Sequence, residues 1–377
     1  MSPRKTVPVT AAVVDWAIRE SGYSPEDLAK QLRIPLEKLR AWATGSAQPG
    51  FTELRKLAAK LKRPVAAFLL PAPPVSIQPA VAFRSPPGTA RRELSPVERR
   101  YLREARRLQQ FLSWVAKELG EPPVVLPRER LDHDAAHAAT RVRARLGITI
   151  TEQERWPSPS AAFAAWRDAL ENAGVLVFAF SMGTDSCRGF SLWDDYAPIL
   201  AVNTAWLPSA RVFTLFPEYG HLATRTDSAC LQGVRRVTSL PSDSPERWCE
   251  EFAAAVLMPA DAVGRYVDDR KDRRPDTLIP AAAKHFSVSH RAAALRLVEL
   301  RYLTWDDYEA LPPFEPKPKG GGKGRDRTQI REDQYGIRTT RLVGRALERE
   351  VIGRGDVLDY LDVPESAIDR FASSTAE

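Results

Sequence analysis

The sequence predicts an α+β protein: an all-α N-terminal domain, an α+β middle domain with a small sheet, and a helical C-terminal region. Three observations predict it. Apolar residues at helical spacing fill residues 9–70 and recur across most of the rest of the chain. One stretch, Val175–Phe180, is an uninterrupted apolar run of strand length that follows Gly174. Two proline-rich segments, 71–88 and 311–327, cannot hold a helix and punctuate the chain. These divide it into a domain at 1–70, a linker at 71–94, a body at 95–310, a second linker at 311–334 and a tail at 335–377.

In the first domain Val14, Ala17 and Ile18 begin a helix that Gly22 closes. Ser24, then Pro25, Glu26 and Asp27, forms an N-cap followed by proline and early acids, with Leu28, Ala29 and Leu32 as the buried face. A turn at Arg33-Ile34 leads into a helix at 35–42, ended by Gly45 and Pro49. Leu54, Leu57, Ala58 and Leu61 mark another. Two short helices joined by a tight turn, the second basic and solvent-facing, make a helix-turn-helix pattern.

In the body, Tyr101 to Leu119 repeats apolar residues at three and four, giving a long amphipathic helix. A second helix runs from Asp132 to Leu146. Its His133 and His137 are spaced to share a metal, but no third ligand accompanies them and they read as solvated or capping residues. A helix at 160–172 precedes the strand 175–180, and Arg188–Trp193 and Pro198–Asn203 read as further strands. Residues 278–300 look like another helix-turn-helix, with His285 and His290 at its surface.

Composition limits the classes. The 377 residues hold 55 Lys+Arg against 48 Asp+Glu, and three cysteines cannot build a disulfide framework. No apolar run approaches a membrane span and the start lacks a secretion signal, so a soluble, cytoplasmic protein is expected, with no membrane partner. Residues 1–70 hold 12 basic and 6 acidic side chains, and the tract Lys317–Arg331 is also basic. Positive charge gathered at the ends suits an anion-binding module on a neutral body.

The chemistry lies after Asn203. In Pro217-Glu218-Tyr219-Gly220-His221 the pattern H-E-x-x-H keeps its glutamate and second histidine and has proline first. Positions i and i+4 share a helical face, so two such histidines reach one zinc while the glutamate holds its water. The preceding Arg211-Val212-Phe213-Thr214-Leu215, together with the later run from Glu246 to Pro259, closely resembles the ImmA/IrrE family of zinc metallo-endopeptidases. That family reads R-x-x-F-T-L-x-H-E-x-G-H-L and then E-x-x-(A/C)-N-x-F-A-A-x-L-L-M-P. This chain departs from it at Pro217, at Glu250 where Asn is usual, at Val256 and in the spacing of Arg211. Likewise Trp42-x-x-Gly45-x-x-x-Pro49 with Leu54, Leu57, Leu61 and Phe68 resembles the Xre (Cro/C1-type) repressor domain.

The resemblances imply a gluzincin-like peptidase fold, with the family's histidine ligands falling on Pro217 and His221, its third ligand on Glu246 and its general base on Glu218. They imply that strand Ile199–Asn203, with Ile199, Val202 and Asn203, is the sheet edge where a substrate peptide pairs. Helix 35–42 would enter the DNA major groove through Glu37, Lys38 and Arg40, or else serve as a protein-interaction module. Zinc is the family's cofactor, held weakly or not at all without the first histidine. The partners implied are DNA and a repressor-like or toxin/antitoxin-type protein, in a chain that can self-associate. The function expected is a DNA-binding regulator fused to a peptidase-like domain impaired by Pro217, the alternative being a pseudoprotease that acts as a sensor or platform.

Overall fold

A computed structural model of the chain describes residues 6–74, 94–226, 228–230, 245–312 and 326–369. It divides into two compact units. One holds the described residues up to 74 with 94–104, and the other the described residues from 105 onward. Most of the expected linker 71–94 and residues 313–325 of the second lie outside the described residues. Among the described residues no helix is long and apolar enough to cross a membrane.

The first unit packs α1 (Ala11–Ser21), α2 (Pro25–Leu32), α3 (Leu36–Thr44), α4 (Phe51–Leu61) and a 3-10 turn, Val65–Leu69. Local chemistry sets these limits. Gly22 closes α1 at φ +76°, and Ser24 Oγ accepts from the Asp27 N–H at 3.0 Å to open α2. Pro35 caps α3 rather than starting it, since its ψ of 143° is extended. Leu28, Leu39, Trp42, Leu54, Leu57 and Phe68 form the core. Residues 94–104 belong here because Arg103 donates to the Glu20 carbonyl at 2.9 Å and the Leu61 carbonyl at 3.5 Å. The boundary expected at 95 therefore falls within α5 (Pro96–Glu118), after Glu104.

The second unit continues with α6 (Ala135–Leu146), α7 (Ile150–Gln153) and α8 (Pro159–Asn172), then β1 (Leu176–Phe180), β2 (Gly189–Leu192) and β3 (Ile199–Asn203). After these come α9 (Pro208–Thr224), β4 (Ser228–Cys230), α10 (Pro245–Leu257), α11 (Ala260–Asp268), α12 (Pro275–His285), α13 (His290–Glu299) and α14 (Trp305–Glu309). The sheet runs β1-β3-β2-β4, with β3 parallel to β1 and antiparallel to β2. This corrects one expectation. Ile199–Asn203 is not an edge: Leu200 pairs with Val177 on one side and Ser191 on the other, so the strand has no free row of backbone groups to offer a peptide. Among the described residues the edges are β1 and β4. Trp166 sits in the core edge-on to Phe216 of α9, ring centroids 4.8 Å apart.

The tail also differs from expectation. Helix starts at Arg327, inside the segment read as a linker: α15 (Arg327–Tyr335) runs directly into α16 (Ile337–Glu348), followed by α17 (Arg354–Leu361). Tyr335 packs edge-on to Phe178 of β1 at 5.6 Å, and Tyr360 stacks on Phe111 of α5 at 3.9 Å. Both tail contacts lie within the second unit.

Gly336 makes the junction between α15 and α16. Its φ of 82° and ψ of 167° lie in a region essentially restricted to glycine, and a methyl there would overlap Glu171 Oε1. Gly336→Ala should lower unfolding free energy by at least ~1–3 kcal/mol, read from the shift of the urea midpoint.

Candidate functional site

Helix α9 opens with Pro208 at its first position, where the absent N–H costs nothing, and its middle is buried on nearly every side. Pro217 stands inside it. Having no N–H, it leaves the Phe213 carbonyl without its helical donor, and its ring crowds that turn. The helix nevertheless runs unbroken to Thr224. Burial of Phe216, Tyr219, Leu222 and Ala223 on both sides of the proline holds it.

Two glycines bring other elements against α9. A Cβ on Gly189 of β2 would lie 2.6 Å from Thr214 Cγ2, 2.7 Å from the Ala201 carbonyl and 3.3 Å from Glu218 Cγ. Only glycine lets the strand press onto the face carrying Thr214 and Glu218. Beneath, a Cβ on Gly220 would come within 2.9 Å of Cys249 Sγ on α10. Glu218 is thereby fully enclosed.

His221 is buried too, and its ring is oriented. Thr224 Oγ1 donates to the Gly220 carbonyl at 2.9 Å, so the 2.8 Å contact between the two threonine hydroxyls is donated by Thr226. Thr226 Oγ1 in turn accepts from His221 Nδ1 at 2.8 Å. This chain assigns the Nδ1–H tautomer and puts the lone pair on Nε2. Burial pushes the imidazole down to about 3.

Glu246 lies in the first turn of α10, partly exposed. Burial, and then the negative charges of Glu218, Glu246 and Glu250, push the Cys249 thiol well up, so these carboxylates gather about the α9–α10 contact. Cys249 is thus an inert buried thiol, as the sequence suggests. Glu250 has its carboxyl pushed up to about 7, first by desolvation, with Arg188 opposing and Glu299 of α13 adding to the rise. Sequence reasoning noted Glu250 only as a departure from a pattern and missed Arg188, Glu299 and Thr226. Thr226, close after the motif, was the one within reach of a local reading.

The other candidates separate from this cluster. Asn203 is a loop organiser: its Nδ2 donates to the carbonyls of Gly183 at 2.7 Å and Cys187 at 3.0 Å, and its Oδ1 accepts from the N–H groups of Met182 and Ala205. Ile199 and Val202 are core residues of β3. His133 lies 3.8 Å from Glu129, and His285 bonds Glu154 at 3.0 Å while stacking on Tyr266. In the first unit Lys38 Nζ meets Glu53 Oε1 at 2.6 Å, Arg40 meets Glu26 at 2.9 Å, and Glu37 is exposed.

Residues 170–298 match the IrrE N-terminal-like domain family, Peptidase_M78. This segment is a metallopeptidase-like domain. The match begins at the end of α8 and takes in the whole sheet and the α9–α10 pair. No curated protein and no solved structure matches the chain. The matched family is one of zinc metallopeptidases, and the residues here do not fit a three-ligand zinc: a proline offers no lone pair, leaving His221 and Glu246. Among the described residues no group of three or more His, Cys, Asp or Glu side chains is placed to hold a metal ion.

The buried imidazole has a measurable consequence. Between its unfolded value near 6.5 and about 3, the folded chain binds fewer protons at His221 than the unfolded chain does. Unfolding free energy should therefore fall as pH drops through that window, and His221→Gln should flatten the dependence. NMR of the imidazole nitrogens in the folded protein should show a neutral ring from pH 8 down to 5.

Proposed function

We propose that this chain is a regulator joining an Xre-type helix-turn-helix module to an ImmA/IrrE-like domain whose proteolytic site is impaired at Pro217. The observation that carries the reading is the proline itself. It stands where the resemblance requires the first zinc ligand, in a helix otherwise enclosed as a metallopeptidase helix would be, with Glu218 sealed beneath Gly189. The fold is kept by apolar packing of Trp166, Phe216, Tyr219 and Phe252, which needs no metal. Such a domain serves as a sensor or a platform for a protein partner of the repressor or toxin/antitoxin kind, and self-association is compatible with it. We place the chain in the cytoplasm.

For the first unit we favour DNA. Helix α3 follows α2 after a three-residue turn and presents Glu37 and Arg40 to solvent. The Arg40–Glu26 pair is well exposed on both sides, so it holds the guanidinium by no more than ~1 kcal/mol and yields it to a phosphate. The second reading, a protein-interaction module, draws on Lys38, which is more shielded beside Glu53 and lies 5.8 Å from the Trp42 ring centroid.

If α3 reads a groove, Arg40→Ala should weaken DNA binding and lower the slope of log K against log salt by ~1 in magnitude, measured by fluorescence anisotropy over a salt series. Lys38→Ala should have the smaller effect. Unchanged binding in both variants leaves the interaction module.

Pro217→His tests the impaired site. It supplies the missing donor beside His221 and Glu246, so metal analysis should find about one zinc per chain in the variant alone. Removing the interior proline should also raise stability by ~3 kcal/mol before any zinc is added. In that background Glu218→Gln should abolish proteolysis and keep the zinc, whereas Glu246→Ala should lose it. One tightly held zinc in the chain with Pro217 overturns the reading.

A further inference from the structure

The tail builds a second concave site, remote in sequence from the α9–α10 contact. Arg338, Arg341 and Arg345 recur along α16 at spacings of three and four, so they share one helical face. Between that face and the end of α8, at Glu171 and Asn172, lies a pocket of about 370 Å³. All three arginines are partly buried.

The local acids make a close ion pair with one member of this set, Arg345. Glu171 is spent on other groups: its Oε1 accepts from Arg167 Nε at 2.9 Å, and its Oε2 from the backbone N–H of Arg338 at 3.0 Å. Glu121 takes Arg345 at 2.6 Å. Among the described residues, neither Arg338 nor Arg341 has a carboxylate within ion-pair distance, and Asp168 attracts Arg341 only from farther away. Two partly buried guanidinium groups that make no close ion pair among the described residues therefore line the pocket, each a planar donor fork suited to an anion. Burial lowers the pKa of Arg338, while Glu121 and, more weakly, Glu171 attract it and Arg345 repels it.

Size and spacing narrow the occupant. From Arg338 to Arg345 is two turns, ~10 Å along the axis, too long for one carboxylate and matched to linked phosphates. The volume is that of a small-ligand site, and a concavity of this kind does not follow a duplex backbone. Ile337 and Leu342 offer an apolar wall for an organic portion.

We propose that this pocket binds a small molecule carrying a diphosphate, held by Arg338 and Arg341, with Arg345 shared between Glu121 and the ligand's far end. The site is independent of the metallopeptidase-like reading, because none of its residues belongs to the α9–α10 cluster.

Isothermal titration of the full chain with inorganic pyrophosphate, at constant ionic strength, tests it. One saturable site is expected, weakened ~10-fold or more by Arg338→Gln and by Arg341→Gln. Arg341→Lys should fall between, and the surface control Arg265→Gln should bind as the parent does. The thermal midpoint without ligand should be unchanged in Arg341→Gln, whose guanidinium makes no close ion pair among the described residues, so that lost binding there reports the ligand and not the fold. Equal binding by parent and Arg341→Gln overturns the proposal. So does binding that disappears at matched ionic strength, or citrate binding as tightly as pyrophosphate.

Discussion

Helices α9 and α10 can touch as closely as they do because Gly220 has no side chain and Cys249 fills the space it leaves. That contact sets everything near the motif. Tyr219, next to the glycine, stacks over Phe252 at 6.1 Å, and Phe252 stacks in turn on Trp248 at 5.2 Å. The Trp248 indole N–H donates to the His133 carbonyl at 2.8 Å, which ties α10 to the segment before α6. Gly189 repeats the device on the opposite side, where β2 leans on α9. Sheet, helix and helix are thus clamped through two glycines, and the carboxylates of Glu218, Glu246 and Glu250 have nowhere to gather except around a thiol.

Within that clamp the proline is tolerated for a reason that has nothing to do with catalysis. A helix in water would break at Pro217 for want of ~3 kcal/mol. Here the residues on either side are enclosed by Trp166, Phe252 and the sheet, and burying each large apolar side chain contributes ~1.5–3 kcal/mol. Fold and ligand set are separable in such a domain. The apolar packing that shapes it does not depend on the residue at position 217, so a family match and a proline in the helix coexist in one segment.

Most of the element order was legible locally. Ser24, Gly22 and Gly147 are caps whose chemistry acts within a few residues, and each stands where a helix begins or ends. The first strand announced itself by an apolar run, and two more were read at Arg188–Trp193 and Pro198–Asn203. Their order in the sheet did not, because Ile199–Asn203 reads the same as an edge or as a centre, and only its partners decide. The basic tract before 335 concealed α15, since Arg327–Tyr335 has little apolar content of its own and its anchor is Tyr335 against Phe178. For the candidate site, the positions of Pro217, Glu218, His221 and Glu246 were visible as a pattern. The charge that Arg188 and Glu299 bring to Glu250 was not, because it arises where a strand and two helices meet.

The cap on α16 has a bearing on how the chain is assembled. The Arg338 N–H finds its acceptor in Glu171, 167 residues earlier, and the Arg167 guanidinium beside it donates to the Asp333 carbonyl at 2.7 Å. A terminus satisfied by so distant a partner cannot nucleate by itself, for the loop must close before the bond rewards it. During synthesis α8 and the sheet emerge long before the residue that covers Glu171. Until then its carboxylate has Arg167 but not the Arg338 N–H, and the Phe178 ring of β1 lacks Tyr335. The body is therefore completed by a segment made 167 residues after Glu171, and a product cut short of Gly336 carries a less covered acid and a bare aromatic of the kind a chaperone or a protease acts on.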